Sequence, residues 1–466
     1  MKPRSLAWIA QATNGRLHGA DRTIDAVATD TRALPQGRDA SFVALKGENF
    51  DGHDHVAAAA DGGCVAALVA HEVEARIPQI VVADTERALG DFAAAVQRER
   101  TTKVLAITGS NGKTSVKSLL LSILDQAGGA YANPGNRNNE IGLPLAVLDA
   151  PDDARFAVYE MGAGKPGDIA YLTAIARPDV ALVNNIAPAH LERMGSLLGV
   201  ADTKAAIYDA LPDDGVAVVN ADEAFAPYFL ERAHGRRIVR FGLEASADIT
   251  ARDIRGDGDG SRFVLVTPRG EANIALPMPG RHNVRNALAA AGMALGAGAS
   301  LEQVRHGLNA VRPVAGRLVS QRLRSGAILV DDSYNANPGS LDAAIDTLAA
   351  SGDEAWLVLG DMRELGADEI ALHAQAGARA KAAGIARLYT LGALSEAATD
   401  AFGEGARDFA SHADLADALR GELHAGVRVL VKGSRGSAMD RIVKALLASD
   451  AAADKAAVNK GEADAA

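Results

Sequence analysis

The chain of 466 residues carries a single cysteine, Cys64, and that scarcity excludes both a disulfide framework and a thiolate-rich metal centre. Cys64 lies in the apolar run Cys64-Val65-Ala66-Ala67-Leu68-Val69, where it reads as a buried core residue. Aromatic side chains make up only 4% of the chain, too few for the stacking platforms that hold single-stranded nucleic acid. A formal net charge of -11, spread along the sequence, lacks the basic footprint of a nucleic-acid binder. Long hydrophobic runs are missing as well. No segment reaches the length of a membrane span, and the apolar stretch within Met1 to Ala10 is too short for a signal peptide, so the expected location is the cytoplasm, away from any membrane. No repeat of solenoid period is visible, and nothing demands more than a monomer.

What is present is the composition of a soluble globular protein, 48% hydrophobic and 23% charged. Abundant Ala and Gly suit helices packed closely on sheets. The length is too great for one ordinary core and predicts several domains. Residues 1–99 read as a small α/β unit with strands at Ala40 to Leu45, Cys64 to Val69 and Ile80 to Val82, and a helix at Glu86 to Arg98. From Lys103 the pattern becomes strand, Gly-rich turn, helix, repeated. Its apolar strands are Val104 to Ile107, Phe156 to Tyr159, Val180 to Val183 and Val216 to Val219. Continuous apolar strands alternating with helices predict a parallel sheet covered on both faces. A Gly- and Asp-rich insertion, Asp248 to Leu276, reads as antiparallel hairpins, and helices resume at Arg281 to Leu295 and Leu301 to Ala310. A third α/β unit, 313–449, starts near Arg312-Pro313, with strands at Ala327 to Val330, Trp356 to Leu359, Arg387 to Thr390 and Val427 to Leu430. The middle unit then spans 100–312, and the tail 450–466, rich in Ala, Asp and Lys, reads as disordered.

The strongest local signal is Thr108-Gly109-Ser110-Asn111-Gly112-Lys113-Thr114, which follows a buried strand and precedes the apolar helix Val116 to Leu124. This is the setting a phosphate loop requires. Glycines let backbone N–H groups turn toward phosphate oxygens, and the helix N-terminus adds its positive dipole end. Lys113 can neutralise the β- and γ-phosphates, and the Thr114 hydroxyl can bind Mg²⁺. The spacing Gly109-x-x-Gly112-Lys113 is shorter than the usual Gly-x-x-x-x-Gly-Lys, whose first glycine would fall on Ile107. ATP binding is expected; the reaction is not fixed by this loop alone.

Glu160 ends the strand Phe156 to Tyr159, and His190 lies just past the strand that ends near Asn184-Asn185. Ligands gather at the carboxyl ends of strands in such sheets, so each is placed to hold a metal. Each reads equally well as a surface acid or a loop histidine. Lys204, read by itself, is an exposed helix lysine.

Further stretches extend the pattern: Asn138-Asn139-Glu140-Ile141-Gly142-Leu143-Pro144, Tyr159-Glu160-Met161-Gly162, Asn185 to Glu192, Gly280-Arg281-His282-Asn283-Val284-Arg285-Asn286-Ala287, Asp331 to Pro338, and Lys432-Gly433-Ser434-Arg435. In order and rough spacing they resemble the Mur ligases of peptidoglycan synthesis over nearly the whole chain except the tail. Among these ligases they look most like the type that adds D-alanyl-D-alanine (D-Ala-D-Ala) to UDP-N-acetylmuramoyl-tripeptide (UDP-MurNAc-tripeptide). The resemblance implies three domains: one for the UDP end, a central ATPase with a P-loop-type parallel sheet, and a Rossmann-like C-terminal domain that closes over the site. It implies ATP and two Mg²⁺ ions, with Thr114 and Glu160 at the first ion and His190 and a CO₂-carbamylated Lys204 at the second. Asn283 and Asn286 are implied on the adenine side, Asp332 at the ribose and Arg317 near the phosphates. Asp30-Thr31-Arg32 and Asp51-Gly52-His53 look like uridine-side motifs, so Thr31, Arg32, Asp51 and His53 are implied for substrate. Asn138, Asn139, Asn335, Asn337 and Arg435 are candidates for positioning the peptide or dipeptide.

Two departures stand out: Thr31 occupies a position where serine is usual, and Ala205-Ala206 follow Lys204 where Gly-Glu is common. The ligase that adds the third residue usually carries Asp-Asn-Pro-Arg in its last domain; this chain has Gly360-Asp361-Met362-Arg363-Glu364-Leu365-Gly366 there, as in the dipeptide-adding type. A folylpolyglutamate synthase is the other alternative within the superfamily. A nucleotide switch is disfavoured because no guanine-selecting Asn-Lys-x-Asp is present. The expected chemistry is activation of a carboxylate as an acyl phosphate, followed by attack of an amine.

Overall fold

A computed structural model describes residues 1–188, 191–256 and 258–450, the side chains of Leu191 and Glu192 excepted. His190 and the tail 451–466 therefore lie outside the described residues. Three main sheets follow one another along the chain.

The central sheet has six parallel strands in the order Arg237–Phe241, Val216–Asn220, Val180–Val183, Lys103–Thr108, Phe156–Glu160, Ala130–Ala132. Side-chain alternation splits it into two cores. Leu105, Ile107, Val158, Leu182 and Val218 face the helices Lys113–Asp125 and Arg281–Gly296. Val104, Ala106, Ala157, Tyr159 and Val183 face the opposite way, toward the helices Gly142–Asp149, Asp168–Ala176 and Leu197–Asp209. Both faces are buried, which is why these strands read as unbroken apolar runs. The helix Arg281–Gly296 lies unusually close to the sheet because its facing residues are small. A Cβ on Gly296 would stand 3.0 Å from Val216 Cγ1.

The N-terminal sheet orders its strands Arg16–His18, Gln79–Val81, Ala66–Val69, Ala40–Val43, Ala26–Ala28; all pairs are parallel except the first. Its long helix, Thr85–Arg98, buries Leu89, Phe92 and Val96 in the same core as the central helices. Cys64 is buried at the foot of this sheet. The insertion forms a three-stranded antiparallel sheet, Thr250–Gly256, Ser261–Thr267 and Gly270–Leu276. The C-terminal sheet runs Val319–Arg322, Ile328–Asp332, Val427–Lys432, Glu354–Gly360, Arg387–Leu391, Ala406–Phe409, parallel except for its first pair. A helix over 440–450 seals one face with Ile442, Val443 and Leu446. Among the described residues, no helix is long and apolar enough to cross a membrane.

Candidate active site

The turn between Thr108 and the helix Lys113–Asp125 is built around Gly112, whose φ of 76° is left-handed. A Cβ there would fall 2.6 Å from both Asn184 Nδ2 and Asn286 Oδ1, so the position is closed to any larger residue by conformation and by space. The loop is pinned from the neighbouring strand end. The Asn111 N–H donates to Asn185 Oδ1 at 2.8 Å, and the Asn111 carbonyl accepts from Asn184 Nδ2 at 2.9 Å and Asn185 Nδ2 at 3.1 Å. Ser110 Oγ donates to the Ala187 carbonyl at 3.0 Å. Asn184 Nδ2 also reaches Asn286 Oδ1 at 3.1 Å, and Asn286 Nδ2 donates to Asn283 Oδ1 at 3.2 Å. One chain of amides thus joins the phosphate loop to the start of the helix Arg281–Gly296. From the sequence Asn184 marks only a strand end and Asn185 the start of a motif; their hold on the phosphate loop emerges from the fold.

Glu160 is buried at the end of its strand. It accepts from Thr114 Oγ1 on Oε2 and from Asn138 Nδ2 on Oε1, both at 3.0 Å. Lys117 Nζ lies 3.2 Å from Oε2. Burial opposes ionisation, but the charges of Lys117 and Lys113 and these hydrogen bonds outweigh it, so the carboxyl stays below its ordinary range. Lys113 rests on its own loop, 2.7 Å from the Gly109 carbonyl, and burial together with Arg317 lowers its pKa against the pull of Glu160. Asn139 does not face this carboxylate. Its side chain folds onto the start of the next helix, accepting from the Gly142 N–H at 2.9 Å.

Lys204 corrects the reading taken from the residue alone. It is 3% exposed, on the inward face of the helix Leu197–Asp209. Burial, helped by the Lys113 charge and opposed by Asp168, brings its amine down to about 7.

The C-terminal domain forms the opposite wall of a cavity of about 440 Å³. Gly112 to Thr114, Asn138, Glu160, Asn283, Asn286, Arg317, Asp332, Asn335 and Asn337 all line it. Asp332 Oδ2 meets Lys432 Nζ at 2.5 Å, both side chains buried, and the same ammonium donates to the Asn335 carbonyl at 3.0 Å. Arg317 stacks over Tyr334 at 4.2 Å, and its buried Nε has no hydrogen-bond partner among the described residues, which leaves a cationic donor for an anion. Arg435 reaches the same ring at 5.9 Å from outside the cavity. Asn337 caps the helix Pro338–Ala349 through Oδ1, 2.9 Å from the Ser340 N–H, while its Nδ2 donates to Asn111 Oδ1 at 2.7 Å. Its amide joins the two domains.

Thr31, Arg32, Asp51 and His53 do not line this cavity. Asp30 and Asp51 cap two short 3₁₀ turns, Thr31–Ala33 and Gly52–His55. Arg32 is exposed and folded back onto Asp30 at 2.7 Å. His53 is buried, with Nδ1 2.5 Å from Asp51 and Nε2 accepting from the Ala70 N–H at 2.8 Å. Both nitrogens are occupied, so His53 shapes the loop. The ring stacked on it at 4.4 Å, exposed His71, is the one that faces outward, and it was not singled out in the sequence.

Comparison with known proteins adds a second line. The Mur ligase middle domain family matches residues 107–294, and the family described as Mur ligase, glutamate ligase domain matches residues 316–435. The UDP-N-acetylmuramoyl-tripeptide–D-alanyl-D-alanine ligase of Escherichia coli (strain K12) is 44% identical over 445 residues, which cover 95% of this chain and 98% of that protein. A crystal structure of MurF from Acinetobacter baumannii superposes with a TM-score of 0.90 at 33% identity, covering 96% and 99% of the two chains. The MurF ligase of Thermotoga maritima in complex with ADP gives 0.82 at 26% identity, covering 90% and 96%.

Proposed function

The chain belongs to the Mur ligase family of ATP-dependent ligases, and we infer that it joins D-alanyl-D-alanine to UDP-N-acetylmuramoyl-tripeptide during synthesis of the peptidoglycan precursor. The observation that carries the reading is the single cavity shared by two domains, with the phosphate loop on one wall and Arg317, Asp332 and Lys432 on the other. A γ-phosphate beside Lys113 has the ammonium and the helix N-terminus to balance its charge. The tripeptide carboxylate attacks the γ-phosphorus, the bond to the ADP oxygen breaks, and a mixed anhydride forms. The dipeptide amine then attacks the acyl carbon and phosphate leaves. Closure of the C-terminal domain over the cavity excludes water from this intermediate.

The donors present fit Mg²⁺. The Thr114 hydroxyl and the Glu160 carboxylate are hard oxygen ligands 3.0 Å apart. Among the described residues no three His, Cys, Asp or Glu side chains converge, so Thr114 and Glu160 would hold the ion together with phosphate oxygens and water. Bound there, the ion supplies neutralisation of phosphate charge. As a carbamate, Lys204 would hold a second ion together with His190. A lysine amine near 7 is substantially neutral at physiological pH, the form that adds CO₂. Residues 1–99, 100–312 and 313–449 act as three units of one monomer in the cytoplasm, where ATP and the UDP-linked substrate are found. The N-terminal unit takes the UDP end around the two turns that carry Thr31, Arg32, Asp51 and His53.

The test is ADP formation by the purified chain, which should require both the UDP-tripeptide and the dipeptide, with oxygen-18 in the tripeptide carboxylate appearing in the released phosphate. ATP hydrolysis at the same rate without the dipeptide, or phosphate free of the label, overturns the reading. Incubation with carbon-13 bicarbonate should give a carbamate resonance that the Lys204→Ala protein lacks.

A further inference from the structure

Lys117 stands one helical turn beyond Lys113, on the same face of the helix Lys113–Asp125. The positions around it, Val116, Leu119, Leu120, Ile123 and Leu124, are fully buried apolar residues. Lys117 itself is only 6% exposed, and a lysine is rarely buried without partners that hold its charge. It has three: Glu160 Oε2 at 3.2 Å, the Asn133 carbonyl at 3.2 Å and the Gly135 carbonyl at 3.3 Å. Asn133 in turn is tied to the backbone of Glu160, accepting from its N–H at 2.9 Å and donating to its carbonyl at 3.0 Å. It also donates to the Arg137 carbonyl at 2.8 Å, one residue before Asn138, whose side chain completes the hold on Glu160. The other lysine of this helix face is not in contact with the carboxylate, since Lys113 bonds to Gly109 and Ser110 carbonyls.

Resting on the ligase reading above, we propose that Lys117 is a positioning residue: its ammonium holds the charge of Glu160 and locks that carboxylate to the 133–138 loop, so that metal-free nucleotide can approach the phosphate loop without meeting an uncompensated anion. Two consequences follow from the geometry. Without Lys117, Glu160 keeps its hydrogen bonds from Thr114 and Asn138 but loses the cation in contact with it, and nucleotide binding becomes more dependent on a divalent cation. The 133–138 loop also loses the bonds from Lys117 to the Asn133 and Gly135 carbonyls.

The experiment compares the full chain with Lys117→Met and Lys117→Gln by calorimetric titration of ATP, once in EDTA and once in excess Mg²⁺. Expected is a weakening of metal-free ATP binding of about tenfold or more in both variants, with a much smaller loss in Mg²⁺, because removing one unit charge at this separation outweighs a single hydrogen bond. Glutamine keeps donors for the two loop carbonyls but no charge. If Lys117→Gln binds like wild type in both conditions, or if each variant loses equally with and without Mg²⁺, the charge role is overturned and Lys117 is a packing residue. Hydrogen exchange of residues 130–142 gives an independent readout: faster exchange confined to that segment is expected in Lys117→Met, and unchanged exchange contradicts the locking role. Should the methionine variant fail to fold, the glutamine variant decides by itself. Wild-type protein that binds no ATP in either buffer would instead sink the ligase reading.

Discussion

Replacing Lys204 by methionine should stabilise the protein while ending its ligase activity, and the stabilisation should depend on pH in a defined direction. The amine falls from an ordinary 10.5 to about 7 because burial disfavours the ammonium. In the window between these values the unfolded chain binds a proton that the folded chain does not, so stability rises with pH across it. Below pH 7 the folded protein must carry the buried charge, at a cost of up to about 5 kcal/mol when a shift of roughly 3.5 units is converted at 1.36 kcal/mol each. Local relaxation reduces this, and an observed gain of about 1 to 3 kcal/mol for Lys204→Met is expected at pH 6, with methionine retaining most of the buried stem. The gain should shrink steadily from pH 7 toward pH 10.5. The assay is differential scanning calorimetry in bicarbonate-free buffer at pH 6 to 9.5, paired with substrate-dependent ADP release. A lowered midpoint at pH 6, or a gain that does not vary with pH, refutes the reasoning. Such a residue is kept for what it does and not for the stability of the fold.

Three further outcomes can be measured. Gly112→Ala places a β-branch-free but still obstructive Cβ at φ 76°, 2.6 Å from two amide atoms; ATP affinity should fall more than about tenfold, with backbone strain of about 1 to 2 kcal/mol, and unchanged affinity by titration would contradict the loop geometry. Asp332→Asn leaves Lys432 buried without its counter-charge and should cost about 3 kcal/mol, read as a lower calorimetric midpoint; an unchanged midpoint would show that the pair is not holding the C-terminal domain. Asn337→Ser keeps a helix cap but cannot span to Asn111, whereas Asn337→Ala loses both, so the alanine variant should be the less stable by about 1 kcal/mol. Both should weaken nucleotide binding to a similar degree, and an effect in neither would remove Asn337 from the domain contact.

How much of this was readable beforehand depends on where each residue ends up. In the three main sheets the strands legible from sequence are the interior ones, such as Val180–Val183 and Val427–Lys432, which are buried along their whole length. The strands that escaped are the edges: Arg16–His18, Ala26–Ala28, Ala130–Ala132, Arg237–Phe241, Val319–Arg322 and Ala406–Phe409. An edge strand is short or half-solvated and mixes polar residues into its run, as Arg407 and Asp408 do, so it leaves no periodic signal. The phosphate loop was legible because its chemistry is local. Glycine at a left-handed position, lysine at the helix start and hydroxyl after it are consecutive in the chain.

Local conformation and the chemistry of contiguous motifs were thus determined by the amino-acid order alone, since backbone preference and apolar patterning act over a few residues. Only tertiary structure decided which polar side chains lose their water. Lys204 and Lys117 look like ordinary helix lysines until the sheet and neighbouring loops close over them, and Asn111 meets Asn337, 226 positions away in sequence, only because two domains share one cavity. Burial and contact between distant segments are properties of the packed whole, and the pKa of a lysine or the partner of an amide follows from them.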